Sequence, residues 1–183
     1  MDKDLRKYML FLSREAITDF LRTGSATLPV NPPEDLIKNG ASFVTLQSGG
    51  KLRGCIGTLE AYRPLYSDVF HNSLNAAFKD PRFRPVSESE LERIRIEISV
   101  LSARKEIVYT NYSDLKTKII PGSHGVYIQS SSGNSTFLPQ VWDQLPEQDE
   151  FLAHLCIKAG LPANYLTENK PVVEVYTVES FKE

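Results

Sequence analysis

The chain has 183 residues, 41% apolar and 24% charged, a globular composition long enough to bury a substantial core and unlike that of disordered or fibrous chains. Its 21 basic and 23 acidic residues give a formal charge of −2, so no global positive field holds nucleic acid and any such binding needs a local patch. The two cysteines, Cys55 and Cys156, stand far apart, with no CxxC and no Cys/His cluster at zinc spacing, which excludes a disulfide scaffold and leaves no metal set in sequence.

The N-terminal segment does not read as a signal peptide: Asp2, Asp4, Arg6 and Lys7 come first, and Arg14 and Glu15 interrupt the apolar residues. Apolar runs such as Tyr8 to Leu12 are too short to span a bilayer. The expectation is a cytoplasmic protein with reduced thiols and no membrane association.

The first segment reads as a helix, with Leu5, Met9, Leu12, Ala16 and Phe20 on one stripe and an end near Gly24. Residues 25–35, with three prolines, read as a loop. Ala41 to Leu46 is a short strand, Gln47 to Gly50 a turn, and Lys51 to Gly57 the returning strand. Pro64 is placed as the first residue of a helix striped by Leu65, Val69, Phe70, Ser73, Ala76 and Ala77 and stopped by Pro81. Ser87 and Glu90 form a capping box for a short helical turn. The cleanest strand follows, with Ile94, Ile96, Ile98 and Val100 facing one way and Arg93, Arg95, Glu97 and Ser99 the other.

In the second half a weaker strand is expected around Val108 and a turn at Pro121 to His124. Strands at Val126 to Gln129 and Thr136 to Leu138 flank a hairpin loop. A helix from about Glu147 to Ala159 buries Phe151, Leu152, Leu155 and Cys156 and is closed by Gly160, and Val172 to Val178 is a last strand. Strands arrive in hairpins and not in strict βαβ alternation, so the fold class is α+β with a mainly antiparallel sheet and flanking helices.

Alternation along Lys51–Gly57 puts Lys51, Arg53, Cys55 and Gly57 on one face and Leu52, Gly54 and Ile56 on the other. Arg53 and Cys55 are then about 6–7 Å apart at the backbone, close enough for the guanidinium to favour a thiolate. The plainer reading is a small buried cysteine in a strand whose glycines make room for a helix. His124, between Gly122-Ser123 and Gly125, could shuttle protons or simply satisfy a turn. A Cys–His pair needs the fold to bring Cys55 and His124 together. Glu60 suits a general base or, more plainly, an ion-pair partner for Arg53. Lys79, Arg82 and Arg84 with Phe83 could contact phosphate and stack on a base, or could suit a helix end and the turn begun by Asp80-Pro81.

These stretches together resemble the AMMECR family. Leu52 to Gly57 reads LRGCIG, its signature hexapeptide, and Asp80-Pro81-Arg82-Phe83 is similar to its DPRF segment. Glu97 to Leu101, His124-Gly125, Phe137 to Val141 (FLPQV) and Leu155 to Leu161 follow in the same order. The resemblance implies a single AMMECR domain over 1–183, an α+β fold of two sub-lobes related to RAGNYA-type folds, with the LRGCIG strand near their junction. By analogy of fold it implies handling of a nucleotide, a nucleic acid or a related metabolite. It also implies company with Memo-like and radical SAM proteins in the AmmeMemoRadiSam system, and it names no cofactor and no metal. Carried onto this sequence, the candidate residues are Cys55, His124, Arg53 and Glu60 for chemistry and Gly54, Gly57, Asp80 and Arg82 for binding. The readings left open are a cysteine-dependent enzyme, a non-catalytic partner module and a nucleic-acid-binding protein.

Overall fold

In the computed structural model, which describes residues 1–183, the first apolar stripe folds as helix α1 (Lys3–Thr23). It buries Met9, Leu12, Ala16 and Ile17 and ends at Gly24, whose φ of 76° lets its N–H return to the carbonyl of Phe20. Strands β1 (Asn39–Ser48) and β2 (Lys51–Gly57) form a hairpin across Gly49 and Gly50, with φ of 58° and 77°. A two-residue strand, β3 (Arg63–Pro64), precedes α2 (Leu65–Phe78), so Pro64 stands just before the helix and not inside its first turn. The Ser87–Glu90 capping box opens a 3₁₀ turn (Glu88–Arg93) that feeds β4 (Ile94–Leu101). Ile94, Ile96 and Ile98 are fully buried, but the alternation fails at the far end, where Ser99 is buried too and Val100 is half-buried. The Ser99 hydroxyl is satisfied there by Ser180, 2.8 Å away.

Past β4 the chain forms β5 (Lys105–Glu106), α3 (Tyr112–Lys118), β6 (Gly125–Gln129), β7 (Asn134–Phe137), α4 (Gln148–Lys158), α5 (Tyr165–Glu168), β8 (Val172–Tyr176) and β9 (Val178–Lys182). The strand expected around Val108 lies earlier, at β5, and Val108 itself is 81% exposed. The single last strand is two, broken at Thr177. Helix α3 is absent from the sequence-based expectation; Asn111 caps it by accepting the Asp114 N–H at 3.0 Å.

The chain divides into two compact units, one of Met1–Leu101 with Glu179–Glu183 and one of Ser102–Val178. The first holds a sheet in the order β2-β1-β4-β9, with β3 beside β1. Both helices of that unit, α1 and α2, pack on the face that carries Val44, Leu46, Ile96 and Ile98. The second holds a sheet in the order β5-β8-β6-β7. Its core is built from Val126, Ile128, Phe151, Leu155, Cys156 and Val173, with Trp142 stacked on Phe151 at 3.6 Å between ring centroids. Cys156 packs in that core as its helical stripe predicts, and burial raises its thiol pKa. No helix is long and apolar enough to cross a membrane. Strand β1 pairs antiparallel with β2, β3 and β4, and β6 with β7 and β8, so the fold class is α+β with antiparallel sheets, as the hairpin pattern predicts.

Ile96 is fully buried between the helices and the sheet. Ile96→Ala is expected to lower the unfolding free energy by about 2–5 kcal/mol, the cost of lost burial and a residual cavity, measured by urea unfolding.

Candidate functional site

Strand β2 is the edge of its sheet, and its pairing with β1 carries one irregularity. Ser48 pairs with Lys51 and Gln47 with Leu52, but Leu46 pairs with Gly54, so Arg53 is a bulge residue without a β1 partner. The bulge corrects the strict alternation expected for β2. Arg53 turns along the sheet edge, where its Nε donates to Glu90 Oε1 at 2.8 Å and its Nη2 to Glu90 Oε2 at 3.2 Å and to the Pro85 carbonyl at 3.3 Å. That guanidinium and the Ser87 N–H hold the Glu90 carboxyl down at about 2. The carboxylate partner of Arg53 is thus Glu90, the capping-box residue, and not Glu60, which lies exposed beyond β2 with its carbonyl accepting the Tyr62 N–H.

Past the bulge, Cys55 stands opposite Thr45, and Thr45 stands opposite Glu97 of β4. Thiol, hydroxyl and carboxylate thus form one row across three strands, on the face that α1 and α2 leave uncovered. All three are partly exposed. Thr45 Oγ1 donates to Cys55 Sγ at 3.2 Å. Thr45 and Glu97 are the residues that sequence reasoning misses, because their place beside Cys55 depends on the bulge.

The outer edge of β2 is satisfied by side chains. The Cys55 N–H donates to Asp80 Oδ2 at 2.9 Å, and the Cys55 carbonyl accepts from Arg82 Nη2 at 3.1 Å. Asp80 and Arg82 also bind each other in a fork, Nε to Oδ1 at 2.9 Å and Nη2 to Oδ2 at 2.7 Å. The pair does for this one residue what another strand would do. The Asp80 side chain is 2% exposed and that of Arg82 53%, so the guanidinium keeps an open side. The Arg82 hydrogen bond first, with help from the N–H groups of Cys55 and Arg82, holds the Asp80 carboxyl far below the usual carboxylate range against the cost of burial. The hydrogen bond to Asp80 in turn raises the Arg82 pKa. The cation beside the cysteine is therefore Arg82. Its guanidinium lies 5.5 Å from the Phe83 ring centroid and that of Arg53 5.9 Å from the same ring.

The two strand glycines admit close neighbours from the chain itself. A Cβ on Gly54 would stand 2.2 Å from the Ala76 carbonyl oxygen of α2, and one on Gly57 would stand 2.3 Å from the Phe43 ring. A buried carboxylate that the sequence does not single out ties the same region together. Asp68 of α2 accepts from the Ser42 N–H and hydroxyl, Thr58 Oγ1, Arg63 Nε and Asn72 Nδ2 at 2.7–3.0 Å.

His124 belongs to the second unit, whereas Cys55 belongs to the first. Its Nδ1 accepts the Ile120 N–H at 3.2 Å and its carbonyl accepts Trp142 Nε1 at 2.7 Å, so the ring closes the turn before β6. Burial lowers its pKa and so favours the neutral ring, and the Ile120 N–H selects the tautomer in which Nδ1 accepts. No group of three or more His, Cys, Asp or Glu side chains stands together as a metal-binding set.

Comparison with known proteins agrees with these features. The AMMECR1 family model matches residues 10–181. A curated relative from Methanopyrus kandleri, Protein MK0488, is 35% identical over 182 residues, covering 95% of this chain and 85% of its own. A protein of Thermococcus onnurineus is 36% identical over 189 residues, covering 97% and 89%. The crystal structure of the uncharacterized protein PH0010 from Pyrococcus horikoshii superposes with a TM-score of 0.85 at 30% identity, over 100% of this chain and 93% of that one.

Asp80→Asn removes the charge from the fork and is expected to cost about 1–3 kcal/mol at neutral pH, the worth of hydrogen bonds to a charged group. The Asp80 pKa is lower in the folded than in the unfolded chain, so its stabilisation is present above about pH 4 and is lost as pH falls below that. Urea unfolding from pH 7 to pH 3 should show a shallower acid decline for the variant than for the parent, with the share due to Glu90 remaining.

Proposed function

The chain belongs to the AMMECR1 family, and we propose that it is a thiol-dependent enzyme whose nucleophile is Cys55, acting on a nucleotide or a related anionic metabolite. The observation that carries this reading is the hydrogen bond from Thr45 Oγ1 to Cys55 Sγ, within a polar row on the uncovered face of the sheet. A hydroxyl that donates to sulfur orients it, and the Arg82 guanidinium, which donates to the Cys55 carbonyl, supplies a cation on the same residue. With the thiol proton given up to solvent, the sulfur lone pair forms the new bond to an electrophilic centre of the substrate, and the displaced group leaves with its bonding electrons and a proton from solvent. The open side of Arg82 suits an anionic group of the substrate, and Glu97, which makes no ion pair of its own, suits a hydroxyl or amino group. The Asp80–Arg82 fork positions the nucleophile by fixing the backbone on both sides of it.

A second reading is favoured by that same fork. A cysteine held at N–H, carbonyl and sulfur is also what a rigid, non-catalytic docking strand requires, and it suits the partner module implied by the resemblance to component A of the AmmeMemoRadiSam system. Binding of nucleic acid through Lys79, Arg82 and Arg84 is less well supported, because the chain carries a formal charge of −2 and only this small basic group.

Alkylation by iodoacetamide, followed by mass spectrometry across pH, separates these readings. Cys55 is expected to react in the folded protein while buried Cys156 does not, and Thr45→Val should slow the reaction at neutral pH by about fivefold, the worth of one net hydrogen bond. A Cys55 that reacts only on unfolding, or that ignores the loss of the Thr45 hydroxyl, would leave the docking-strand reading.

A further inference from the structure

The first unit carries an apolar groove outside the Cys55 row. It runs between α1 and residues 27–31, with a volume of about 520 Å³. Its floor is firm, because Leu12, Ala16 and Phe70 are buried together in a small cluster of their own. Its walls are not: Phe11 is 64% exposed and Val30 88% exposed. An exposed aromatic and an exposed aliphatic thus flank one concave surface with an apolar floor.

Charge states what fits there. Phe11, Glu15 and Asp19 follow one another at four-residue spacing, so they form a single ridge of α1 along the groove. No lysine or arginine lines the groove, and neither Glu15 nor Asp19 makes an ion pair. An apolar floor with an unpaired acidic rim selects an apolar anchor flanked by positive charge. The ridge from Phe11 to Asp19 covers eight residues at 1.5 Å each, about 12 Å, which matches two turns of a helix. The lining offers two helices and a loop and no strand of either sheet, so a peptide cannot dock by adding a strand.

We propose that this groove is a docking site for a basic amphipathic helix of a partner protein, whose apolar side chains pack on Phe11 and Phe70 and whose Lys or Arg residues meet Glu15 and Asp19. The probe is a synthetic Lys/Leu helix of about 18 residues, long enough to hold helical structure, with a Glu/Leu helix of the same pattern as its counterpart. Binding to the full chain is followed by NMR shift mapping and fluorescence anisotropy. The expected result is binding of the Lys/Leu helix with shifts confined to residues around Tyr8–Asp19, Thr27–Asn31 and Phe70. Phe11→Ser should weaken it by about tenfold, as for a central apolar anchor. The double change Glu15→Lys with Asp19→Lys should reverse the preference in favour of the Glu/Leu helix. All three positions are exposed, and an unchanged melting midpoint confirms that each variant is folded. Equal binding of both helices, shifts outside the groove, or sedimentation showing a dimer that buries Phe11 would each overturn the proposal.

Discussion

The first unit depends on one extra residue. Continued without interruption, the hairpin pairs that begin at Ser48 with Lys51 and Gln47 with Leu52 would place Arg53 opposite Leu46 and Cys55 opposite Val44. Leu46 and Val44 are fully buried against the helices, so that register would drive a guanidinium into an apolar core. The bulge at Arg53 moves every later residue of β2 by one place. Gly54 then takes the helix-facing position, where only a hydrogen fits beneath the Ala76 carbonyl, and Cys55 takes the uncovered face beside Thr45. The alternative register is closed by charge burial on one side and steric overlap on the other.

A bulged edge strand still has unsatisfied backbone, and this chain fills the need from one helix. Asp80 lies just past the end of α2 and takes the Cys55 N–H, while Arg82, bound to the same carboxylate, takes the Cys55 carbonyl. Asp68, near the start of α2, holds Ser42 of β1 and Thr58 just past β2. Gly54 allows the middle of β2 to touch the helix backbone directly. The helix therefore fixes the strand at its middle and toward its far end, by three different kinds of interaction. Each asks for a particular residue, a buried acid, a glycine or an Asp-Pro-Arg turn, so the unusual sequence of β2 and its surroundings is largely explained by packing before any chemistry is invoked.

What the sequence reveals follows from the range of the forces involved. The stripes of α1, α2 and α4, the hairpin at Gly49-Gly50 and the Ser87–Glu90 capping box are local patterns, and all appear in the structure. The partnership of Arg53 with Glu90 joins residues 37 apart, and its only local sign is that Glu90 already has a capping role. The row of Cys55, Thr45 and Glu97 is set by register, which a single bulge can change without altering the apolar pattern. The break at Thr177 is hidden because Val172 to Val178 reads as one run, although Val178 already opens β9, which pairs in the other sheet from β8. His124 shows the opposite limit: its glycine-flanked context suggests freedom, whereas its ring nitrogen is bound within its own turn.

Helix α2 also reaches the groove, since Phe70 forms part of the groove floor and Ala76 and Asp80 address β2. Shared residues alone do not couple two sites; coupling requires an element with two arrangements that both sites bias. Helix α2 is held in one. Ser73 donates to Ser13 of α1 at 2.7 Å, Asp68 is saturated by donors from β1, β3 and its own helix, and the contact at Gly54 leaves no room for the helix to slide. A ligand in the groove would therefore find its floor already formed and gain nothing from moving it. Docking at the groove and reactivity at Cys55 are then separate properties of one rigid framework, and a partner bound at Phe11 would bring its own chemistry to the protein without retuning the thiol.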